Sequence, residues 1–165
     1  MLKNRLTLVI ILAFVLSVCL LALLPRVMSV GKATERYYAH TTEKAETELN
    51  KALQLIENGQ GMQGILKLVE ITQEFPDFAD AYFHLGLASL QTGQYEKSVQ
   101  RFLKAKDLSK NEDYSPFMET VFEGLEQGYT QLNLKKELVL LWQDWYQKLP
   151  ERHPLKEKIL DKMAN

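Results

Sequence analysis

Cys19 is the only cysteine in 165 residues, which excludes an intramolecular disulfide and any thiol cluster able to hold zinc. The three histidines, His40, His84 and His153, stand far apart in sequence. There is no H-E-x-x-H, no G-x-S-x-G and no Cys/His pair at ligand spacing. Gly31-Lys32-Ala33 lacks both the upstream glycine and the Ser or Thr that a phosphate loop needs. No catalytic residue, metal ligand or cofactor is therefore expected. A basic excess is missing as well. Three of the 20 Lys and Arg fall in the first 26 residues, leaving 17 against 21 Asp and Glu, a balance of −4, so nucleic acid is not an expected partner.

One property is present in excess, and it is local. Leu6 to Leu24 is a run of 19 uncharged residues, 14 of them Leu, Ile, Val or Phe. As a helix it would be roughly 28 Å long, close to the hydrocarbon thickness of a bilayer. The expectation is a transmembrane helix over 6–24, preceded by a basic tail over 1–5 and followed by a juxtamembrane linker over 25–42. A cleaved signal peptide has a shorter apolar region and a small-residue cleavage site, whereas this run ends in Leu-Leu-Pro25-Arg26. Cys19 reads as a small apolar member of the span rather than a lipidated residue. Counting positive charges gives Lys3, Arg5 and the terminal amine before the span against Arg26, Lys32 and Arg36 after it, which does not decide orientation. The short basic tail has the form of an uncleaved signal anchor. In a bacterium that places the anchor in the inner membrane and the rest of the chain in the periplasm.

Beyond residue 42 the apolar residues recur at helical steps of three and four. In ADAYFHLGLASLQTGQYEKSVQRFLKAKDLSKN, Ala79 to Asn111, two amphipathic helices flank a tight turn over Gln91 to Gln94. Tyr82, Leu85, Gly86, Gly93, Tyr95, Ser98, Phe102 and Ala105 set its pattern. This spacing resembles the tetratricopeptide repeat, with its aromatic, Leu-Gly pair, small residue and Phe on a 34-residue period. Shifted by one such period, Ala52 aligns with Gly86, Gly59 with Gly93, Gly64 with Ser98 and Leu68 with Phe102. That first repeat carries Glu48 and Lys51 where an apolar pair is expected, so the beginning of its helix is expected to be exposed or frayed. Asp77 is placed to cap the second repeat's first helix, and Ser115-Pro116 to open the third's. The third pair lies about six residues out of phase and has Glu126 where a small residue belongs. Trp142 and Trp145 continue the stripe from Leu138 and read as core. Pro154 to Met163 reads as a solvating end helix.

The fold class implied is all-α: antiparallel helical hairpins stacked as a short right-handed tetratricopeptide superhelix, plus the amino-terminal transmembrane helix. The repeat domain is expected over 43–150, as pairs 43–76, 77–111 and 115–150, with a capping helix over 151–165. Tetratricopeptide domains hold peptides on a concave face built from the first helix of each hairpin. By this resemblance the peptide-binding residues are Leu49, Leu53 and Ile56, with Phe83, Leu87 and Leu90. Repeats that clamp acidic tails carry Lys and Asn where Phe83 and Leu87 stand, so the expected guest is an amphipathic helix or an apolar extended segment. His84 reads as a solvated or satisfied helix histidine, or as a polar contact reaching that groove. Two functions follow. One is a membrane-anchored scaffold or adaptor for protein or peptide partners, similar in layout to anchored repeat proteins of cytochrome c maturation or the protein-export channel. The other is a structural subunit or homo-oligomer whose apolar groove is permanently buried.

Overall fold

Uninterrupted steps of three and four apolar residues become helices in the computed structural model, which describes residues 40–109 and 114–164. Among the described residues there are seven helices and no strand. The chain divides into two units, 1–44 and 45–165. Of the first, the described residues 40–44 are helical. The second holds α1 (45–57), α2 (Gly61–Glu74), α3 (Ala79–Gln91), α4 (Tyr95–Leu108), α5 (Pro116–Gln131), α6 (Lys135–Lys148) and α7 (Leu155–Ala164). The expected tail and span over 1–24 and the linker as far as residue 39 lie outside the described residues. Among those that are described, no helix is long and apolar enough to cross a membrane.

Each pair of helices is closed by one residue in the left-handed conformation. These are Gly59, Gly93 and Asn133, at φ 79°, 74° and 56°. Glycine enters that region without a Cβ clash, and asparagine is among the few other residues that visit it readily. The N–H of each donates to the carbonyl three residues back, on Ile56, Leu90 and Thr130. The next N–H reaches five back, from Gln60 to Leu55 and Gln94 to Ser89 at 2.8 Å and from Leu134 to Tyr129 at 2.9 Å. This double closure satisfies carbonyls that a helix end otherwise leaves bare. Gly93 follows Gly59 by one repeat period, whereas Asn133 follows Gly93 by a period and six more. Half of that excess lengthens α5, which has 16 residues against 13 in α3, and half lengthens the connection ahead of it.

Positions one period apart meet in equivalent ways. In the second hairpin the buried Ser98 hydroxyl donates to the Gly86 carbonyl at 3.0 Å. In the first, a Cβ on Gly64 would stand 2.7 Å from the Ala52 carbonyl, so only glycine lets α2 lie this close to α1. Leu68 and Phe102, again one period apart, are both fully buried. Arg101 donates to the Leu85 carbonyl at 3.0 Å and to the Ser89 hydroxyl, and burial pulls its pKa down.

Two hydrophobic cores result, and α3 serves both. Ala81 and Leu85 join Ala45, Leu49, Ala52, Leu68, Ile71 and Phe75 in one. Tyr82, Phe83, Leu87 and Leu90, from other faces of α3, pack against the other, which is built from α4 to α7 around Phe102, Phe122, Leu125 and Trp145. Trp145 stacks on Phe122 with ring centroids 5.3 Å apart and planes 8° from parallel. Ile159 of α7 closes this core at 2% exposure.

Local expectations fared differently. Ser115 caps α5 through the Met118 N–H at 3.2 Å, with Pro116 at its first position. Asp77 does not cap α3: Phe78 takes that place, its ring drawn toward the first core, and no side-chain cap bond forms. The beginning of the first helix is exposed rather than frayed: 45–57 is helical, with Glu46, Thr47 and Lys51 at the surface. Glu48 accepts from Lys51 at 2.7 Å and meets Lys67 of α2 at 2.5 Å, so an ion triad takes over from the missing apolar pair. Glu126 keeps its place in α5 by accepting from Trp142 Nε1 at 3.2 Å and pairing with Lys162 of α7.

Candidate functional site

A groove of about 200 Å³ opens where α3 passes the turn between α1 and α2. Leu53 and Ile56 form its α1 wall, and Gly61 and Ile65 its α2 wall. Along α3 the lining is His84, Leu87, Ala88 and Gln91, at successive steps of three, one and three residues that keep one face. Thr92 closes the end; its hydroxyl donates to the Ala88 carbonyl at 2.9 Å and accepts from Gln94 Nε2 at 2.9 Å. Gly64 shapes the mouth indirectly, because any Cβ there would collide with the Ile56 side chain. Ile56 therefore lies across α2 and stays 36% exposed.

Of the six residues expected to bind peptide, Leu53, Ile56 and Leu87 line this groove. Leu49 is at 8% exposure inside the first core. Phe83 and Leu90 turn to the second core, where the Phe83 ring lies 5.4 Å from Phe117 and 5.8 Å from Phe102. Ile65, Ala88, Gln91 and Thr92 join the lining from outside the expected set. The three on α3 and at its end continue the His84–Leu87 stripe, a signal present in the sequence. Ile65 has no such signal, because the resemblance assigns the concave face to first helices alone.

The electrostatics of the groove are simple. His84 is its one titratable group. Burial pushes the imidazole down from its ordinary value, and Asp80 one turn earlier pulls weakly the other way. At neutral pH the lining is thus uncharged. Among the described residues no group of three or more His, Cys, Asp or Glu is placed to hold a metal ion. What the groove offers is apolar surface, with amide, hydroxyl and imidazole groups on its α3 side.

A second hollow, of about 310 Å³, lies between α4, α5 and α6. Leu103 and Leu140 line it beside the Lys106–Asp144 ion pair, Glu137 and Tyr129. Burial, with Glu137 adding to it, pushes the Tyr129 hydroxyl up. Leu140 is 65% exposed, as are Met62 and Leu66 of α2 at 72% and 57%. No family model matches the sequence, and the search of curated proteins found no match to it.

Proposed function

We propose that this chain is a membrane-anchored tetratricopeptide scaffold of the bacterial envelope that holds an apolar segment of a partner protein near the membrane. The observation that carries the reading is the groove of Leu53, Ile56, Ile65 and Leu87, an apolar cleft with no charge at neutral pH. Three hairpins closed by the same turn, the first two a single repeat period apart, support the repeat assignment. The uncharged run over 6–24 supports the anchor. Tethering confines scaffold and partner to one surface and raises their effective concentration, so a cleft of modest affinity suffices. Burial of each large apolar side chain in it contributes about 1.5 to 3 kcal/mol.

The test is a photo-crosslinking amino acid at Ile56 in the intact, membrane-inserted chain. A protein adduct that disappears on Leu53→Asp, with the circular dichroism unchanged, supports the reading; no adduct from Ile56 sinks it. Orientation is read in a Cys19→Ala background carrying Gln127→Cys. Labelling by an impermeant maleimide from the periplasmic side is the expected result, and labelling from the cytosol alone reverses the topology.

The alternative is a homo-oligomer, and Met62 and Leu66 favour it by exposing apolar surface on α2, the helix that supplies Ile65. Light scattering of the detergent-solubilised chain separates the two. A dimer that Leu66→Asp converts to a monomer supports this second reading.

A further inference from the structure

The groove has one titratable group, and packing does not explain it. His84 is partly buried, with the Phe83 ring edge-on to it 5.2 Å away. Among the described residues no hydrogen bond to either ring nitrogen occurs, whereas His153 holds both Tyr114 and the Leu155 N–H. No buried side-chain nitrogen or oxygen among the described residues is left unsatisfied, so the imidazole nitrogens of His84 open to solvent. A ring with open nitrogens, beside the Gln91 amide and the Thr92 hydroxyl in a cleft whose α1 and α2 walls are apolar, leaves one donor and one acceptor for whatever fills it.

Resting on the groove reading above, we infer that His84 is the polar contact for the guest: it hydrogen-bonds an uncharged, apolar peptide segment seated between α1 and α3, and releases it on taking up a proton. Charge complementarity selects this class of guest. At neutral pH the lining contains no ion, so a lysine or carboxylate entering it would lose water and gain no counter-charge. A segment with aliphatic side chains and a main-chain or hydroxyl group within reach of His84 meets both kinds of surface.

The release follows from the surroundings of the ring. α1 faces the groove with Leu53 and Ile56 and α2 with Gly61 and Ile65, none of them titratable. On α3, Asp80 is the charged neighbour that acts on the ring, and burial outweighs it. A seated guest removes the remaining water, so the neutral ring is favoured further when the groove is full. Protonation and occupancy then oppose each other, and each unit by which the guest lowers the imidazole pKa weakens binding about tenfold once the pH is below that range.

The experiment is titration calorimetry of the intact chain in lipid nanodiscs, with empty discs as the reference. The probe is an acetylated, amidated hexapeptide of leucine, alanine and serine. The expected result is saturable heat at pH 7.5, weaker binding at pH 5.0 than at pH 7.5, and nearly equal binding at the two pH values for His84→Gln, which keeps a hydrogen-bonding group without the proton. Circular dichroism at both pH values checks that the fold is the same. Equal affinity of the unaltered chain at pH 7.5 and 5.0, or a pH dependence that survives in His84→Gln, overturns the inference and leaves the groove standing. Absence of saturable heat at either pH, with Ile56→Asp indistinguishable from the unaltered chain, removes the groove and the inference together.

Discussion

Phe102 of α4 and Gly124 of α5 are sized to each other: a Cβ on Gly124 would stand 2.5 Å from Phe102 Cζ. A Cβ on Gly86 of α3 would lie 2.8 Å from the same ring. One phenyl group therefore fixes how closely α3 and α5 approach α4, and it does so at 0% exposure.

Phe102→Ala is expected to cost about 3 to 5 kcal/mol, since three helices cannot collapse far enough to refill the space. Gly124→Ala should cost about 1 to 3 kcal/mol by overpacking. Urea denaturation of Phe102→Leu, Gly124→Ala and their combination measures the coupling. The double variant should be more stable than the two single costs added together, and strict additivity would mean the ring has room to move.

The turns give a pair of opposite effects. Gly93→Ala places a Cβ on a residue at φ 74° and should destabilise by about 1 kcal/mol. Asn133→Gly relieves the milder strain at φ 56° and should stabilise by about 0.5 kcal/mol. Thermal midpoints moving in the same direction for both would show that the left-handed geometry is not what these residues supply.

Trp142→Phe keeps the ring against the core and removes the Nε1 donor to Glu126. The expected loss is about 1 kcal/mol. In Glu126→Ala the same tryptophan change should have a smaller effect, which a denaturation double-mutant cycle reads directly.

Lys51 first and Lys67 next hold the Glu48 carboxyl down, from 4.5 to about 2. Its contribution to stability is therefore full above pH 4.5 and is lost as the pH falls toward 2. The Lys67 ammonium is raised above 10.5 by Glu48, so its share persists below that pH and disappears on the alkaline side. Glu48→Gln should flatten both limbs of a stability–pH curve; limbs unchanged by it would show that the triad does not form in solution.

Much of the helical layout is legible in local signals that need no distant partner. Gly59 and Gly93 stop helices wherever they stand, and Ser115-Pro116 starts one. A single shift by the repeat period implies the pairings of Ala52 with Gly64 and Gly86 with Ser98. What escapes such reading depends on contacts made between different helices. Lys67 reaches from α2 back to Glu48 on α1, and nothing near Glu48 announces it. Gly124 and Gly128, flanking Glu126, supply the close approach to α4, because the lengthened α5 presents different residues to Phe102 and Val99. The groove is half legible for the same reason. Hydrophobic periodicity marks Phe83 and Leu90 as apolar, but only the arrival of Phe117 decides that Phe83 is covered rather than open.

Because α3 belongs to two cores, the hairpin of α1 and α2 is a leaf hinged on a trunk. Loss of the leaf's packing would bare Ala81 and Leu85 and leave the second core in place, whereas loss of α3 would break into both. Amide exchange should follow that order, leaf before trunk. The cleft lies along the seam between them, where α1 and the start of α2 meet α3.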